Sequence, residues 1–542
     1  MWGFVPLAAA AAAAALVERA SEGSLERARE RLLAGRTREA SAALARVRWP
    51  GLSARAAAAR AVVAAFGGAS TPARVGADEL RALAPEAVLT AALDRGDTAA
   101  AARLAALLGE AGEPVAPVYA AALAFDRGDE DEARRLAAAG PAPLASRGLG
   151  QRLAAALEAR GRGARTLLWD RDGRLAATID EQGQPAAAPA AAGLVDEPLA
   201  RLADGADSLP RESQGVRLAV DIDLARVARE SLGLRRGSIV LLDTRTGGLL
   251  AAVTDPVTAA AEPLAAFAQR REPASIAKVL TTAAAYRAGI DADAEIRRMT
   301  CTGVERYGGQ PLWCAFPAGP LEGGLDQALA VSCNVAFANL GQRIGREALL
   351  AEYRAWGFDV ADRALLGAAG RVRAEPRDAR SLADLAVGLE LVDVTPLHAA
   401  ALAAVVARGG RGVDVRLVAG GTSPLALRDA RRAPTAAAAV IEPAVAARLR
   451  EAMQAVARSG TGAGLAPAGF PIAMKTGTAA TPGLGYHVNY VGFGPLPEPT
   501  VAFAVRVTGE PTSPGVNQDA REVTRRLLGA LAERAGRLAA AR

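Results

Sequence analysis

Lysine, histidine, cysteine and aromatic residues are all scarce in this chain of 542 residues. Only two of its 64 basic residues are lysines, and the others are arginines. Three cysteines and two histidines supply too few soft ligands for most zinc sites, and they disfavour a Ser-His-Asp triad. The net charge of +6 is spread along the chain without a basic block. Composition therefore points away from metal centres, histidine triads and nucleic-acid binding.

The two lysines, Lys278 and Lys475, are informative because this chain otherwise uses arginine for positive charge. Lysine is needed where a cation must lose a proton or stay compact. Lys278 follows Ser275 by three positions, at the start of a helical pattern over 275–288. Residues i and i+3 share one face of a helix. A lysine with a lowered pKa can serve there as the base that activates a serine nucleophile.

A second motif, Ser-Cys-Asn at 332–334, lies between two helical patterns. The Ser332 hydroxyl can pass a proton, and the Asn334 amide can hold a peptide-like substrate. A third motif begins at Lys475 on a predicted strand, and it continues with Thr476, Gly477 and Thr478. Glycine on a strand lets a substrate backbone approach closely, and the lysine and hydroxyl groups suit a carboxylate.

Each motif is common alone, but their order and spacing, with gaps of 57 and 143 residues, are specific. The set resembles the serine penicillin-recognising enzymes. Residues 214–535 resemble the transpeptidase domain of class B penicillin-binding proteins, which cross-link bacterial peptidoglycan. The stretches 238–247, 394–397 and 489–495 are also similar to that family. The helical residues 20–165 lie outside the family pattern, and the customary pedestal domain is nearly absent.

The resemblance implies that the serine attacks the penultimate D-Ala of a stem peptide. It implies that no metal or organic cofactor is required, and that β-lactams mimic D-Ala-D-Ala and acylate the same serine. The backbone N–H groups of Ser275 and Thr478 would form the oxyanion hole. The implied catalytic residues are Ser275, Lys278, Ser332, Asn334 and Lys475, and the implied substrate-binding residues are Thr476, Gly477 and Thr478.

The pattern of elements predicts an α+β chain in four parts. Antiparallel strands at both ends of 214–535, with helices between them, predict a sheet flanked by helices in a β-lactamase-like domain. Residues 20–165 predict an all-α region of tetratricopeptide-like repeats, since five glycines recur at intervals of 29 to 33 residues. Such stacks usually present a surface to a protein partner, although a plain helical bundle is the alternative. Residues 166–213 read as a hairpin and then a linker, with the Pro/Ala stretch 185–192 inside the linker.

The apolar segment 1–17 predicts a signal peptide or a membrane anchor, although no basic residue precedes it. We therefore expect the chain in the cell envelope, on the periplasmic or extracytoplasmic side of the inner membrane. In that oxidising compartment Cys301 and Cys314 could form a disulfide, which would leave Cys333 over. Three unpaired thiols are the alternative, and the sequence does not choose between them.

Three other functions share parts of this pattern. A class A β-lactamase needs a Glu-x-x-Leu-Asn context between the second and third motifs, and the only Asn from 335 to 474, Asn339, is not in one. A D,D-carboxypeptidase uses the same acyl-enzyme with water as acceptor. A non-catalytic scaffold could read peptidoglycan and recruit partners through the helical repeats. The favoured prediction is a D,D-transpeptidase, with the carboxypeptidase and the scaffold as alternatives.

Overall fold

The N-terminal part of the chain is helical. The computed structural model describes residues 4–67, 88–89, 92, 97–112, 116–139, 148–204, 214–360, 363–422, 424–425, 437–481, 485–510 and 515–540. The helices that it describes before residue 165 are α1 (Phe4–Leu33), α2 (Thr37–Leu44), α3 (Ser53–Gly67), α4 (Thr98–Glu110), α5 (Ala116–Asp126), α6 (Glu130–Ala139) and α7 (Leu149–Gly161), with a 3₁₀ turn at Pro50–Leu52. For the described residues of this region, the predicted helical character is confirmed.

Alanine and leucine fill most of the core of these helices, together with Phe125. Alanine has the highest helix propensity and is small, so neighbouring helices pack closely along the chain. Gly35 and Gly128 take positive φ values of 73° and 91° just after α1 and α5, where only glycine is unstrained. Gly96, the middle glycine of the predicted repeat, lies outside the described residues. The tetratricopeptide-like assignment stays a prediction.

Residues 4–17 of the predicted apolar segment are continuous with charged residues in one helix, since α1 runs from Phe4 to Leu33. Among the described residues, no helix combines the length and the apolar character needed to cross a membrane. The signal peptide or anchor therefore stays a prediction.

A five-stranded antiparallel sheet forms the centre of the C-terminal part, in the order β14-β15-β16-β5-β6. Its strands are β5 (Gly237–Asp243), β6 (Leu249–Thr254), β14 (Ala473–Thr481), β15 (Gly485–Gly494) and β16 (Val501–Gly509). Three helices pack against it, namely α9 (Ile222–Leu232), α18 (Pro396–Ala407) and α20 (Val516–Ala540). The α+β expectation of an antiparallel sheet flanked by helices is confirmed.

Further helices and short strands lie between β6 and β14 and carry the second motif. The helices are α10 (Pro256–Ala261), α11 (Ala265–Ala268), α12 (Lys278–Arg287), α13 (Ala294–Arg297), α14 (Gly324–Ala330), α15 (Asn334–Ile344), α16 (Arg346–Ala355), α17 (Ala379–Val387) and α19 (Pro443–Ser459), with 3₁₀ turns at Ala274–Ile276, Ile290–Ala292 and Arg363–Leu365. The strands are β7 (Thr300–Cys301), β8 (Val304–Tyr307), β9 (Gln310–Trp313), β10 (Gly319–Pro320), β11 (Arg371–Val372) and β12 (Val392–Asp393).

A second sheet joins the residues on either side of position 214. Its order is β13-β4-β1-β2-β3. The strands are β1 (Thr166–Trp169), β2 (Leu175–Ile179), β3 (Pro185–Ala187), β4 (Gly215–Leu218) and β13 (Val418–Thr422). The β1–β2 hairpin turns at Asp170, whose Oδ1 accepts the backbone N–H groups of Asp172 and Arg174 at 2.9 and 2.7 Å. The predicted hairpin is thus one part of a sheet that also includes strands from the C-terminal part.

The linker prediction for 185–192 is wrong for most of that stretch. Pro185–Ala187 pairs with β2 as an edge strand, and Pro189–Ala191 forms a 3₁₀ turn before α8 (Asp196–Ala203). The edge of β2 that does not face β1 has backbone groups with which β3 can pair. Proline is tolerated at the first position of such an edge strand. Residues 205–213, the remainder of the predicted linker, lie outside the described residues.

Strand β1 separates two hydrophobic cores. Leu167 and Trp169 are fully buried among the N-terminal helices, whereas Leu168 is fully buried in the core of the C-terminal part. Successive side chains of a strand point to opposite faces, so one strand serves both cores. The indole Nε1 of Trp169 also donates to the carbonyl oxygen of Pro424 at 2.8 Å.

Candidate active site

Ser275 lies in the 3₁₀ turn immediately before α12. Ala274 beside it has a φ of 51°, a region that glycine favours over alanine. Its backbone N–H donates to the carbonyl oxygen of Gly388 at 2.8 Å. A Cβ on Gly388 would lie 2.2 Å from the carbonyl oxygen of Ala274, so the close approach requires glycine. The turn that carries the serine is therefore held by the chain just after α17.

Lys278 is fully buried in the first turn of α12. Its Nζ donates to the carbonyl oxygen of Ser332 and to Oδ1 of Asn334, each at 2.7 Å, and contacts Ser332 Oγ at 3.4 Å. Within the described residues, its hydrogen bonds thus lead to the second motif and not to Ser275 Oγ. Burial lowers the pKa of Lys278 from its usual 10.5 to about 7. The neutral amine is then well populated near neutral pH, as a general base requires.

Ser332 lies between the two amines of the chain. Its Oγ accepts a hydrogen bond from Lys475 Nζ at 2.9 Å, in addition to the longer contact with Lys278. Its φ of 61° is rare outside glycine and aims the side chain at the two lysines. Asn334 begins α15, and its Nδ2 donates to the carbonyl oxygen of Trp313 at 2.8 Å. The orientation of the Asn334 amide is thus fixed from both ends.

The third motif lies on β14, which forms one edge of the central sheet. Burial lowers the pKa of Lys475 well below its usual value, and the positive charge of Lys278 lowers it further. A Cβ on Gly477 would lie 2.8 Å from the carbonyl oxygen of Pro273 and 3.2 Å from the backbone nitrogen of Ser275. Glycine therefore lets β14 lie directly against the turn that carries the serine.

A cavity of about 440 Å³ opens over these residues. Six of the eight predicted site residues line it, and Lys278 and Lys475 are fully buried beside Ser332. The structure therefore brings the three motifs together. The lining residues are Ala274, Ser275, Ala315, Phe316, Pro317, Val331, Ser332, Asn334, Val387, Leu389, Ser459, Gly460, Thr461, Thr476, Gly477 and Thr478.

Sequence reasoning missed two polar neighbours of the third motif. Oγ1 of Thr461 is 2.6 Å from Oγ1 of Thr476, and the Thr478 hydroxyl donates to Oδ1 of Asn517 at 2.9 Å. The glycine-rich stretch 459–464 after a helical pattern was a signal for Thr461, whereas Asn517 has no local signal. Both contacts orient threonine hydroxyls beside the cavity.

The three cysteines are free thiols that lie together. This agrees with the unpaired alternative and not with a Cys301–Cys314 disulfide. The two histidines are both buried in hydrogen-bonded surroundings. His398 accepts the backbone N–H of Gly370 at 2.7 Å, and His487 Nε2 is 3.0 Å from the carbonyl oxygen of Glu272. Neither belongs to the lining of the described cavity.

The fold and the site together define a class of protein. In this class a serine and two buried lysines meet between a helix and the edge of an antiparallel sheet. The family model described as penicillin binding protein transpeptidase domain matches residues 237–529, more than half of the chain. The chain belongs to this family, which confirms the resemblance found in the sequence.

The chain is also similar to named proteins. The peptidoglycan D,D-transpeptidase PbpA of Mycolicibacterium smegmatis is 33% identical over 311 residues, which are 50% of this chain and 62% of that protein. The PbpA of Mycobacterium tuberculosis is 31% identical over 312 residues, with the same two shares. The chain thus spans less than two thirds of the length of these relatives.

Solved structures show the same fold. The crystal structure of PBPA from Mycobacterium tuberculosis has a TM-score of 0.55 at 24% identity, and it covers 68% of this chain and 99% of its own. The ceftriaxone acyl-enzyme complex of penicillin-binding protein A from the same organism has a TM-score of 0.56 at 23% identity, and it covers 68% and 98%.

Proposed function

We propose that this protein is a peptidoglycan D,D-transpeptidase that cross-links stem peptides through an acyl-serine intermediate and is inhibited by β-lactams. The observation that carries the proposal is the convergence of Ser275, Ser332 and the two lysines on one cavity. The named relatives, two D,D-transpeptidases, support the same activity.

In the first step Ser275 Oγ attacks the carbonyl carbon of the penultimate D-Ala. Lys278 acts as the base in its neutral form, which burial makes accessible near pH 7. The attack requires Lys278 to release its bond to Asn334 or Ser332 and accept the proton. The backbone N–H groups of Ser275 and Thr478 receive the developing oxyanion, and the close approach at Gly477 supports that geometry.

The leaving D-Ala amine needs a proton as the tetrahedral intermediate collapses. Ser332 Oγ is within hydrogen-bond reach of both lysines, so it can relay the proton from Lys278 with help from Lys475. The amine of a neighbouring stem peptide then attacks the acyl-enzyme by the reverse path. The free serine is regenerated and the cross-link forms.

Substrate selection rests on groups at the two sides of the cavity. The hydroxyls of Thr476 and Thr478, with the amine of Lys475 close by, can donate hydrogen bonds to the terminal carboxylate of D-Ala. Asn334 has its amide oriented by Lys278 and Trp313, so it can hold the backbone of the stem peptide. β-Lactams present a carboxylate and a reactive carbonyl in a similar relation, which explains the proposed inhibition.

Intact mass of the full chain after incubation with benzylpenicillin tests the acyl-serine. We expect one covalent adduct, absent in Ser275→Ala and retained in Ser41→Ala, a change at an exposed serine on α2. No adduct on the folded wild-type protein would overturn the proposal. Rapid loss of the adduct as hydrolysed drug would indicate a β-lactamase instead.

A peptide ending in D-Ala-D-Ala, supplied with a labelled amine acceptor, separates the remaining alternatives. A transpeptidase incorporates the label as D-Ala is released, whereas a D,D-carboxypeptidase releases D-Ala alone. Binding of peptidoglycan without either product would favour the scaffold.

We further propose that the chain works in the cell envelope, where peptidoglycan lies, and that the helices α1 to α7 bind a protein partner. Their sequential stacking, which resembles a repeat array, supports the second point. An alkaline phosphatase fusion that stays inactive in cells would contradict the location. Loss of a captured partner from the intact chain on charge reversal at exposed helix positions, Arg38→Glu with Asp131→Arg, would test the recruitment.

A further inference from the structure

All three cysteines of the chain converge beside the second motif. They come from separate segments: Cys301 ends β7, Cys314 follows β9, and Cys333 precedes α15. Their Sγ atoms all lie within 4.8 Å of one another. Cys301 and Cys333 are fully buried, whereas Cys314 is half-buried and offers a way in. The proposed acyl transfer uses none of these sulfurs.

Each sulfur already accepts one backbone N–H group. The donors are Gly303 to Cys301 Sγ at 3.4 Å, Asn334 to Cys314 Sγ at 3.3 Å, and Ala336 to Cys333 Sγ at 3.4 Å. Such outer hydrogen bonds orient metal ligands and stabilise their charge.

The half-buried Cys314 sets the order in which the sulfurs can be reached. An ion that enters from solvent would meet the Cys314 sulfur first, with the two buried sulfurs behind it. Each thiol must lose its proton to bind a metal ion, because the thiolate is the form that binds.

We propose that Cys301, Cys314 and Cys333 bind one Zn²⁺ ion, with water in the fourth tetrahedral position. A Zn–S bond of about 2.3 Å places sulfurs about 3.8 Å apart, so the cluster needs to contract by only about 1 Å. The three thiols give their protons to solvent, and the hydrated zinc ion keeps one of its water molecules and releases the others, so no electron is transferred. Three thiolates are ligands that select zinc over magnesium or calcium.

Zinc bound at these sulfurs would hold the second motif in place. Cys333 separates Ser332 from Asn334, so a metal bond to its sulfur fixes the peptide that carries both side chains. The amide N–H of Asn334 contributes in the same way through its bond to Cys314. The zinc proposal goes beyond the proposed transpeptidase activity, and its test does not require that activity.

The test uses the full chain without a metal-binding tag, reduced and freed of metal. Titration with Co²⁺, which replaces zinc in thiolate sites, should give a sulfur-to-cobalt charge-transfer band that saturates at one equivalent. Zn²⁺ should displace it, and native mass should then count one zinc. Cys314→Ser should abolish the band, whereas Thr302→Val, an exposed change in the same loop, should retain it.

The absence of the cobalt band in the folded wild-type protein would overturn the proposal. A mass two hydrogens lower before reduction, with two thiols closed to alkylation, would overturn it in favour of a disulfide. A second readout uses the unaltered chain, so it does not depend on the folding of a variant. Stoichiometric Zn²⁺ should protect all three thiols from alkylation, and unprotected thiols would contradict the site.

Discussion

The helical region and the transpeptidase region bury different kinds of side chain. The core of the helical region is almost entirely alanine and leucine, and Asp126 is the buried carboxylate recorded among its described residues. The transpeptidase region buries two lysines, two histidines and Arg506. Burial of an ionisable group is costly unless its partners compensate. The proposed acyl transfer thus lies in the region whose fold compensates for the burial of ionisable side chains.

Buried charge alone does not identify a catalytic group, as Arg506 illustrates. Its guanidinium donates to Asn489 Oδ1 at 2.7 Å and to the carbonyl oxygens of Gln269 and Val394 at 2.8 and 3.0 Å. These neutral acceptors tie β16 to three other segments, so Arg506 stabilises the fold. The two lysines instead meet at a serine beside the cavity, where a proton can move.

The largest expected effect comes from removing the proposed base. Lys278→Met keeps a chain of similar length and removes a buried amine, so the fold should survive. Loss of a general base should lower the acylation rate with benzylpenicillin by about 10²- to 10⁴-fold. Stopped-flow acylation measures the rate, and circular dichroism checks the fold. An acylation rate close to that of wild type would show that another group takes the serine proton.

A core substitution in the helical region should lower the stability of the protein and leave its acylation rate unchanged. Leu104 is fully buried in α4, and Leu104→Ala should lower the free energy of unfolding by about 2–5 kcal/mol. Acylation of the folded protein should stay unchanged, because α4 takes no part in the cavity. Denaturant unfolding and acylation are compared with Ala106→Ser, an exposed change on the same helix. A parallel loss of acylation would mean that the two regions are functionally coupled.

A smaller effect is expected from pH. Because burial lowers the pKa of Lys278 to about 7, the neutral fraction grows as pH rises through that value. The acylation rate should therefore increase about tenfold per pH unit below pH 7 and level off above it. A rate profile from mildly acidic to mildly basic pH, at constant ionic strength, measures this. A flat profile in the folded protein would argue against Lys278 as the titrating base.

The smallest effect is expected at the surface of the helical region. Glu158 on α7 and Arg162, the residue just after that helix, form an ion pair, and both side chains are more than half exposed. Solvent screens such pairs, so Glu158→Gln should change the free energy of unfolding by about 0.5 kcal/mol or less. Thermal unfolding at low and high salt provides the check. A loss of several kcal/mol would show that this ion pair holds the helices together.

The residues that meet at the candidate site could be predicted from the sequence because their signals are local. The spacing of Ser275 and Lys278 predicts a shared helix face, and the apolar runs near Lys475 predict strands. Family motifs then specified which serine and which asparagine to expect in the same site. The structure changes one detail, since Lys278 is bonded to the second motif and not to Ser275.

Other features depend on contacts between distant segments, which no local pattern encodes. Pro185 begins an edge strand because β2 supplies the hydrogen-bond partners, although its Pro/Ala composition favoured a linker. The three cysteines come together only through the packing of β7, the end of β9 and the start of α15. The small number of cysteines and histidines argued against a metal site. Because all three cysteines lie together in the fold, they are nevertheless enough to propose one.

The double-sided strand β1 has a practical consequence for dividing the chain into fragments. A cut at residue 165, where the composition changes, would leave Leu167 and Trp169 on the surface of the C-terminal fragment. An exposed apolar face on a sheet promotes aggregation. The helical fragment would lose the same side chains from its own core. Recombinant expression of either half alone should therefore yield insoluble protein, unless another segment covers the core that β1 covers in the full chain.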